Sequence, residues 1–386
     1  MLVKIHGAAI LVFLSLLIVA ESVGAAKIIP IREQIIKESI KVYTPGESIP
    51  FDTIPQMHND EYFFDAYDEL VEMLNGGRPY DLKRAEFLVE WAYYSGGIDY
   101  NAFCDSVTNA VNTLKTFIQM KEIGQYKTAA NAALFEYFTK PCWMNNNRAF
   151  TYDVVDCGGE KDLSKVFVSK VIRIHSGQCF SLPVYYKILC NELGGKASLA
   201  TAPGHMYIKH VGEDGRWVNV ELTTGSFARD EWYIQSMGVS TEAIKNGVFL
   251  TAMSDQEDIA YMLYMLGVAY LRKYKEYDYF TLLCANRILE VLPHNCYAFE
   301  LVVGTRQQWG YDYVHIIGDI PSDFIMENYD GQYGAQMLLN TIGYTRITGE
   351  EYIRRVEKAY KEIGKDVPDS WKEFREQINR VEGCTK

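Results

Sequence analysis

The chain has little positive charge for its length, and it lacks the usual spacings of metal ligands. Its 386 residues include 38 Lys and Arg against 50 Asp and Glu, which gives a formal net charge of −12. Nucleic acids bind to basic surfaces, so this balance argues against a nucleic-acid partner. The 8 cysteines form no Cys-x-x-Cys pair and the 7 histidines form no His-x-x-x-His pair. We therefore expect neither a metal site nor a cofactor.

Long apolar runs are also absent after the N-terminus. The run from Ala8 to Ala20 follows Lys4 and precedes small residues up to Ala26. This pattern predicts a secretory signal peptide over residues 1–26. The run is shorter than the roughly 20 residues that a membrane-spanning helix needs. We expect a secreted or periplasmic protein with no membrane contact beyond the export signal, and an uncleaved N-terminal anchor is the alternative.

Cysteines in an exported protein often form disulfides. If Cys179 is a free thiol, seven cysteines remain, and seven cannot all pair within one chain. The first pairs to consider are Cys142 with Cys157 and Cys284 with Cys296. The sequence leaves the pairing open.

The segment around Cys179 is typical of a nucleophile at the start of a helix. Residues 180–193 are largely apolar or aromatic and predict a buried helix. Proline is tolerated only in the first turn, so Pro183 indicates that this helix begins close to Cys179. Gly177 allows a sharp entry into it. The thiol would then lie where the helix dipole favours a thiolate, although a buried structural cysteine is the alternative.

Residues 205–211 and 216–222 predict two strands of a hairpin. The three residues between Gly212 and Arg216 suit a loop with a type I turn and a left-handed glycine. That loop would place Tyr207 opposite Glu221. A loop of two residues would shift every side chain to the other face of the sheet.

In this register His205 and Glu221 become diagonal neighbours on one face, within reach of each other. We predict Cys179 as nucleophile, His205 as general base and acid, and Glu221 as the group that orients the imidazole. His175 is a weaker candidate base because it has no acidic partner at hairpin distance. A histidine bonded to backbone and a solvated strand-end glutamate are the structural alternatives.

The rest of the chain is predominantly helical by its apolar periodicity. Four N-terminal helices are predicted over 62–74 (closed by Gly76-Gly77), 82–94, 100–120 and 129–138, after a short one at 32–41. Residues 256–302 resemble a tetratricopeptide-type helix pair, and 336–362 with 368–381 form a weaker second pair. Such stacks commonly bind proteins, and the alternative is that they only extend the core.

Three short segments resemble the transglutaminase-like superfamily of papain-like folds. Gly177-Gln178-Cys179-Phe180 is similar to its nucleophile segment, Pro203-Gly204-His205-Met206-Tyr207 to its histidine strand, and Trp217-Val218-Asn219-Val220-Glu221 to the strand of its acidic residue. That family more often has aspartate at the third position. The resemblance implies acyl chemistry on amides, by a thioester that is hydrolysed or transferred to an amine.

The resemblance implies an α+β fold in which a helix bearing the cysteine packs on an antiparallel sheet. We divide the chain into a signal peptide (1–26), an N-terminal helical region (27–141), a transglutaminase-like core (142–235) and a C-terminal, tetratricopeptide-like helical region (236–386). The expected function is an exported cysteine hydrolase or acyltransferase acting on a protein or peptide. The alternative is a non-catalytic protein-binding module with a relict pocket, whose partner binds the C-terminal helices.

Overall fold

The computed structural model describes residues 57–153, 156, 158–317 and 323–347, together with 351, 354, 355, 357, 358 and 361. The predicted signal peptide, the helix at 32–41 and the segment 368–381 lie outside these residues. Among the described residues, no helix is long and apolar enough to span a membrane.

The described part of the chain is a mixed helix and sheet structure, in agreement with the α+β expectation. Four helices precede the sheet region: α1 (Glu61–Leu74), α2 (Leu82–Tyr93), α3 (Tyr100–Met120) and α4 (Ala129–Thr139). Four lie around the sheet: α5 (Val168–Ile174), α6 (Ser181–Glu192), α7 (Asp230–Met237) and α8 (Thr241–Lys245). Four follow it: α9 (Asp255–Tyr274), α10 (Tyr279–Val291), α11 (Cys296–Ile317) and α12 (Asp323–Ile342).

The sheet has four antiparallel strands in the order β3-β4-β5-β6. Its strands are β3 (Ser198–Ala202), β4 (His205–Val211), β5 (Trp217–Glu221) and β6 (Ser226–Ala228). A short parallel pair, β1 (Thr151–Tyr152) and β2 (Ser176–Gly177), leads into the segment of Cys179. Helix α6 packs on β3 and β4, so the helix that follows the cysteine lies against the strand that carries His205.

The predicted N-terminal helices are confirmed, and their starts have a local cause. Asp60, Asp81 and Asp99 precede α1, α2 and α3, and each side chain accepts a hydrogen bond from a backbone N–H of the first turn, at 3.0, 3.0 and 2.7 Å. An N-cap of this kind satisfies a donor that the helix leaves unpaired. These caps stabilise the first turns of the three helices, whose existence was predicted from apolar periodicity.

The N-terminal and C-terminal helices share one core. The ring of Phe63 on α1 lies 5.1 Å from that of Tyr270 on α9 and 5.7 Å from that of Phe280 on α10. A Cβ atom at Gly267 would lie 3.1 Å from Leu301 Cδ1, so the glycine lets α9 approach α11 closely. Helices α9 and α10, which fall within the predicted pair of residues 256–302, therefore pack on the N-terminal helices and on α11.

Two expectations for the C-terminal region are wrong. The candidate disulfide between Cys284 and Cys296 is not formed, because both residues are buried free thiols. Cys284 lies on the face of α10 that packs against Gly267 of α9, whereas Cys296 is the first residue of α11. The helix expected from residue 336 begins earlier, at Asp323, and ends at Ile342. Cys142 is also a free thiol, and Cys157 lies outside the described residues.

We expect Phe63→Ala to lower the free energy of unfolding by about 3–5 kcal/mol, because the ring of this α1 residue is buried against α9 and α10. Urea unfolding followed by circular dichroism should show one transition, shifted as a whole. Met120→Ala is the control: its side chain is 68% exposed, and we expect a change within about 0.5 kcal/mol. Two separate transitions would contradict a shared core.

Candidate active site

Cys179 lies two residues before the first residue of α6, as predicted from Pro183, which falls in the first turn. The backbone N–H of Gln178 donates to Ser181 Oγ at 3.0 Å, which fixes the turn into the helix. The thiol is partly exposed, and its Sγ lies 3.9 Å from the carbonyl oxygen of Gly204. A reagent from solvent can therefore reach the sulfur.

Gly177 is needed because of close packing. A Cβ atom at this position would lie 2.6 Å from Val171 Cγ2 and 2.9 Å from Ser181 Oγ. Any other residue would push the backbone away from α5 and α6, and the cysteine two residues later would move with it. The glycine of the nucleophile segment thus sets the position of the thiol.

The hairpin register is confirmed. Ile208 pairs with Val220 and Lys209 with Asn219, so the same register places Tyr207 opposite Glu221. The loop closes with a hydrogen bond from the N–H of Gly212 to the carbonyl oxygen of Arg216 at 2.8 Å. Gly215 has a φ of +82°, the left-handed conformation that this loop requires.

The register brings His205 and Glu221 into direct contact. His205 Nε2 lies 2.7 Å from Glu221 Oε2, and both side chains are buried. Burial by itself would lower the pKa of His205, but the Glu221 carboxylate and the hydrogen-bonded Cys179 outweigh it and raise that pKa to about 10. The imidazole therefore contacts the carboxylate directly and lies close enough to the thiol for Cys179 to affect its pKa.

Two further residues hold the Glu221 carboxylate. Its Oε1 accepts hydrogen bonds from the backbone N–H and the hydroxyl of Thr223, at 3.0 and 2.6 Å, and its Oε2 accepts one from Tyr233 at 3.1 Å. Burial favours a higher pKa of Glu221, but His205 and Thr223 hold it below its usual value. Sequence reasoning offered no ground for a choice between Thr223 and Thr224, and it did not point to Tyr233.

Helix α7 presents Tyr233 to the carboxylate, and buried polar groups hold this helix on the sheet. Asp230 Oδ1 accepts hydrogen bonds from Asn219 Nδ2 at 2.7 Å and from Lys209 Nζ at 3.2 Å. The Tyr233 ring stacks on Tyr207 with centroids 4.2 Å apart. The sheet face that carries His205 and Glu221 therefore also positions the helix that covers it.

His175 has a structural role in this part of the fold. It ends α5 with a φ of +52°, and its Nδ1 lies 3.1 Å from the carbonyl oxygen of Arg148. Its ring stacks on Phe150 with centroids 4.3 Å apart. The imidazole that contacts Cys179 and an acidic residue is that of His205.

Comparison of the chain with protein-family models, with curated proteins and with solved structures gave no match. Within the part of the chain that the structure describes, no group of three or more His, Cys, Asp and Glu side chains is arranged to hold a metal ion. What bears on the function is therefore the geometry of the site and the resemblance of three short segments.

We expect Tyr233→Phe to destabilise the protein by about 1.5–3 kcal/mol, because it removes a hydrogen bond to a buried carboxylate. Tyr207→Phe is the matched control. The Tyr207 hydroxyl is buried and makes no hydrogen bond to a described residue, so its removal should be neutral or stabilising. Urea unfolding of both variants tests this. Equal effects would mean that the bond to Glu221 contributes nothing.

The stability difference between wild type and Glu221→Gln should depend on pH. His205 in the unfolded chain has a pKa near 6.5 against about 10 when folded, so its stabilisation is complete below pH 6.5 and is lost as pH rises through about 10. The pKa of Glu221 falls below its unfolded value of 4.5, so its stabilisation is complete above pH 4.5 and is lost as pH falls through the folded value.

Unfolding measurements from pH 4 to pH 10 should therefore show the largest difference between pH 4.5 and 6.5. We expect about 3–5 kcal/mol there, because the substitution leaves a buried charge without its partner. Asp214→Asn, an exposed carboxylate in the hairpin loop, is the control and should show little pH dependence of this kind. A constant difference between wild type and Glu221→Gln at all pH values would contradict an ion pair.

Proposed function

We propose that the protein is an exported cysteine hydrolase or acyltransferase of the transglutaminase-like type, which acts on an amide bond of a protein or peptide. The observation that carries the proposal is the buried His205–Glu221 pair at 2.7 Å, in contact with a partly exposed Cys179. A helix that begins after the cysteine packs on the strand of the histidine. This arrangement supports the papain-like core that the sequence resemblance implies.

Each residue has one role in the proposed reaction. Nε2 of His205 is hydrogen-bonded to the Glu221 carboxylate. Nδ1 therefore remains to take the thiol proton and to stabilise the thiolate. The thiolate attacks the amide carbonyl carbon, and the imidazolium then gives its proton to the departing amine. A thioester on Cys179 remains. His205 next takes a proton from a water molecule or an amine, and that molecule attacks the thioester carbon. The C–S bond breaks, an acid or a new amide leaves, and His205 returns the proton to the Cys179 sulfur.

We propose hydrolysis as the main outcome because water is the abundant acceptor outside the cell. Export is supported by Lys4 and the apolar run from Ala8 to Ala20, which match a secretory signal peptide.

A binding role for the C-terminal helices is the second candidate function, and one observation favours it. Large side chains stand exposed on α11 and α12, where Met326, Tyr329 and Tyr333 recur with helical spacing. Exposed apolar groups of this kind often mark protein contacts. The exposed side chains are Tyr311, Val314, Met326, Tyr329 and Tyr333.

Alkylation by iodoacetamide at pH 6 tests the enzymatic proposal. At this pH an ordinary thiol is almost entirely protonated, whereas a thiolate–imidazolium pair is reactive. We expect Cys179 to be labelled on the order of 100-fold faster than an unactivated cysteine, and His205→Ala to remove most of that advantage. Peptide mass spectrometry locates and quantifies the label.

Cys104 and Cys142 serve as internal references, because both are also partly exposed. Cys179→Ala should remove the fast-labelled peptide. His175→Ala is the matched histidine control, and it should leave the rate of alkylation at Cys179 nearly unchanged. If Cys179 reacts no faster than Cys104, with or without His205, the enzymatic proposal fails and the binding module becomes the better interpretation.

A further inference from the structure

A row of aromatic rings begins beside the nucleophile. Phe180, the residue after Cys179, stacks on Tyr261 of α9 with centroids 5.7 Å apart. Tyr261 lies 5.4 Å from Tyr264 and 4.7 Å from Tyr297 by ring centroids. These three tyrosines remain partly exposed, so a part of each residue is accessible to a ligand.

The row lies within electrostatic range of the thiol. Burial raises the pKa of Tyr261, and the neighbouring charge of Cys179 adds to the effect. The phenol therefore stays neutral and keeps an electron-rich ring face. Such faces attract cations, and more strongly where water is partly excluded.

A carboxylate lies at the far side of the row. Glu300 Oε2 accepts hydrogen bonds from Tyr264 at 3.3 Å and from Tyr344 at 2.9 Å. Its Oε1 pairs with Arg346 Nη1 at 2.9 Å. The Glu300 side chain is 19% exposed and that of Arg346 is 72% exposed, so a guanidinium already reaches this carboxylate from the solvent side.

We propose that Tyr261, Tyr264, Tyr297 and Glu300 form a substrate subsite beside Cys179 for a cationic side chain, with arginine favoured over lysine. This inference rests on the proposed function and names its substrate class, a peptide with a basic residue close to the amide that reacts. The tyrosine faces receive the cation and the carboxylate pairs with it. A planar guanidinium suits both contacts better than an ammonium does.

Arg346 is the intramolecular competitor for this subsite. Its segment lies against the active site, because a Cβ atom at Gly204 would be 3.6 Å from Ile347 Cγ1. Gly204 is also the residue whose carbonyl oxygen contacts the thiol. The attraction between Glu300 and a guanidinium raises the pKa of Arg346. A substrate arginine has to displace Arg346 from Glu300 before it binds.

Protection of Cys179 against iodoacetamide tests the subsite on the intact protein. The probes are Nα-acetyl-arginine amide and Nα-acetyl-citrulline amide, which have nearly the same shape and differ in charge. We expect the arginine probe to halve the labelling rate at a concentration about tenfold lower than the citrulline probe, a difference of about 1.4 kcal/mol. Each variant is normalised to its own rate without a probe.

Two variants give opposite expectations. Glu300→Gln should abolish the preference for the arginine probe, and Arg346→Gln should increase it, because the competitor is gone. Arg346 is mostly exposed, so the second variant should fold even if the first does not. If the arginine probe protects Cys179 of the Arg346→Gln variant no better than it protects wild type, the subsite is overturned.

The test separates this inference from the proposed function. The rate without any probe reports on the pair of Cys179 and His205 alone. Fast labelling at Cys179 with equal protection by both probes would overturn the subsite and leave the enzymatic proposal standing. Slow labelling that is still selectively blocked by the arginine probe would support the subsite and overturn the enzymatic proposal.

Discussion

The buried ion pair between His205 and Glu221 is the constraint on which the rest of the site depends. Removing two charged groups from water is costly, and the cost is recovered only when geometry and further hydrogen bonds are good. Here Thr223 and Tyr233 supply those bonds to the carboxylate. Without the Glu221 carboxylate itself, burial would lower the pKa of His205 and favour a neutral imidazole.

The pair depends in turn on the register of β4 and β5. Side chains alternate along a strand, so a slip of one residue would put His205 and Glu221 on opposite faces. The loop ending at Gly215 prevents that slip, since its positive φ fixes the loop length. The same face carries Lys209 and Asn219, which hold α7 through Asp230. One register therefore places both the pair and the helix that supports it.

Local features of the sequence predicted what local interactions decide. Apolar periodicity predicted the N-terminal helices, and Pro183 located the start of α6. The hairpin loop predicted the contact between His205 and Glu221. Tyr233 has no local signal, because its position depends on how α7 packs on the sheet. The candidate disulfide between Cys284 and Cys296 was wrong for a similar reason, because closeness in sequence does not show which way a buried side chain points.

The C-terminal helices contact both the N-terminal core and the candidate site. Helix α9 packs its Tyr270 against Phe63 of α1 and its Tyr261 against Phe180, the residue after Cys179. The same rigid helix therefore joins the N-terminal core to one wall of the site. A change in how α9 packs on α1 would shift Tyr261 relative to the thiol, because packed interiors transmit displacement rather than absorb it. The position of Tyr261 beside Cys179 is thus coupled to the core that α1, α9 and α10 build together.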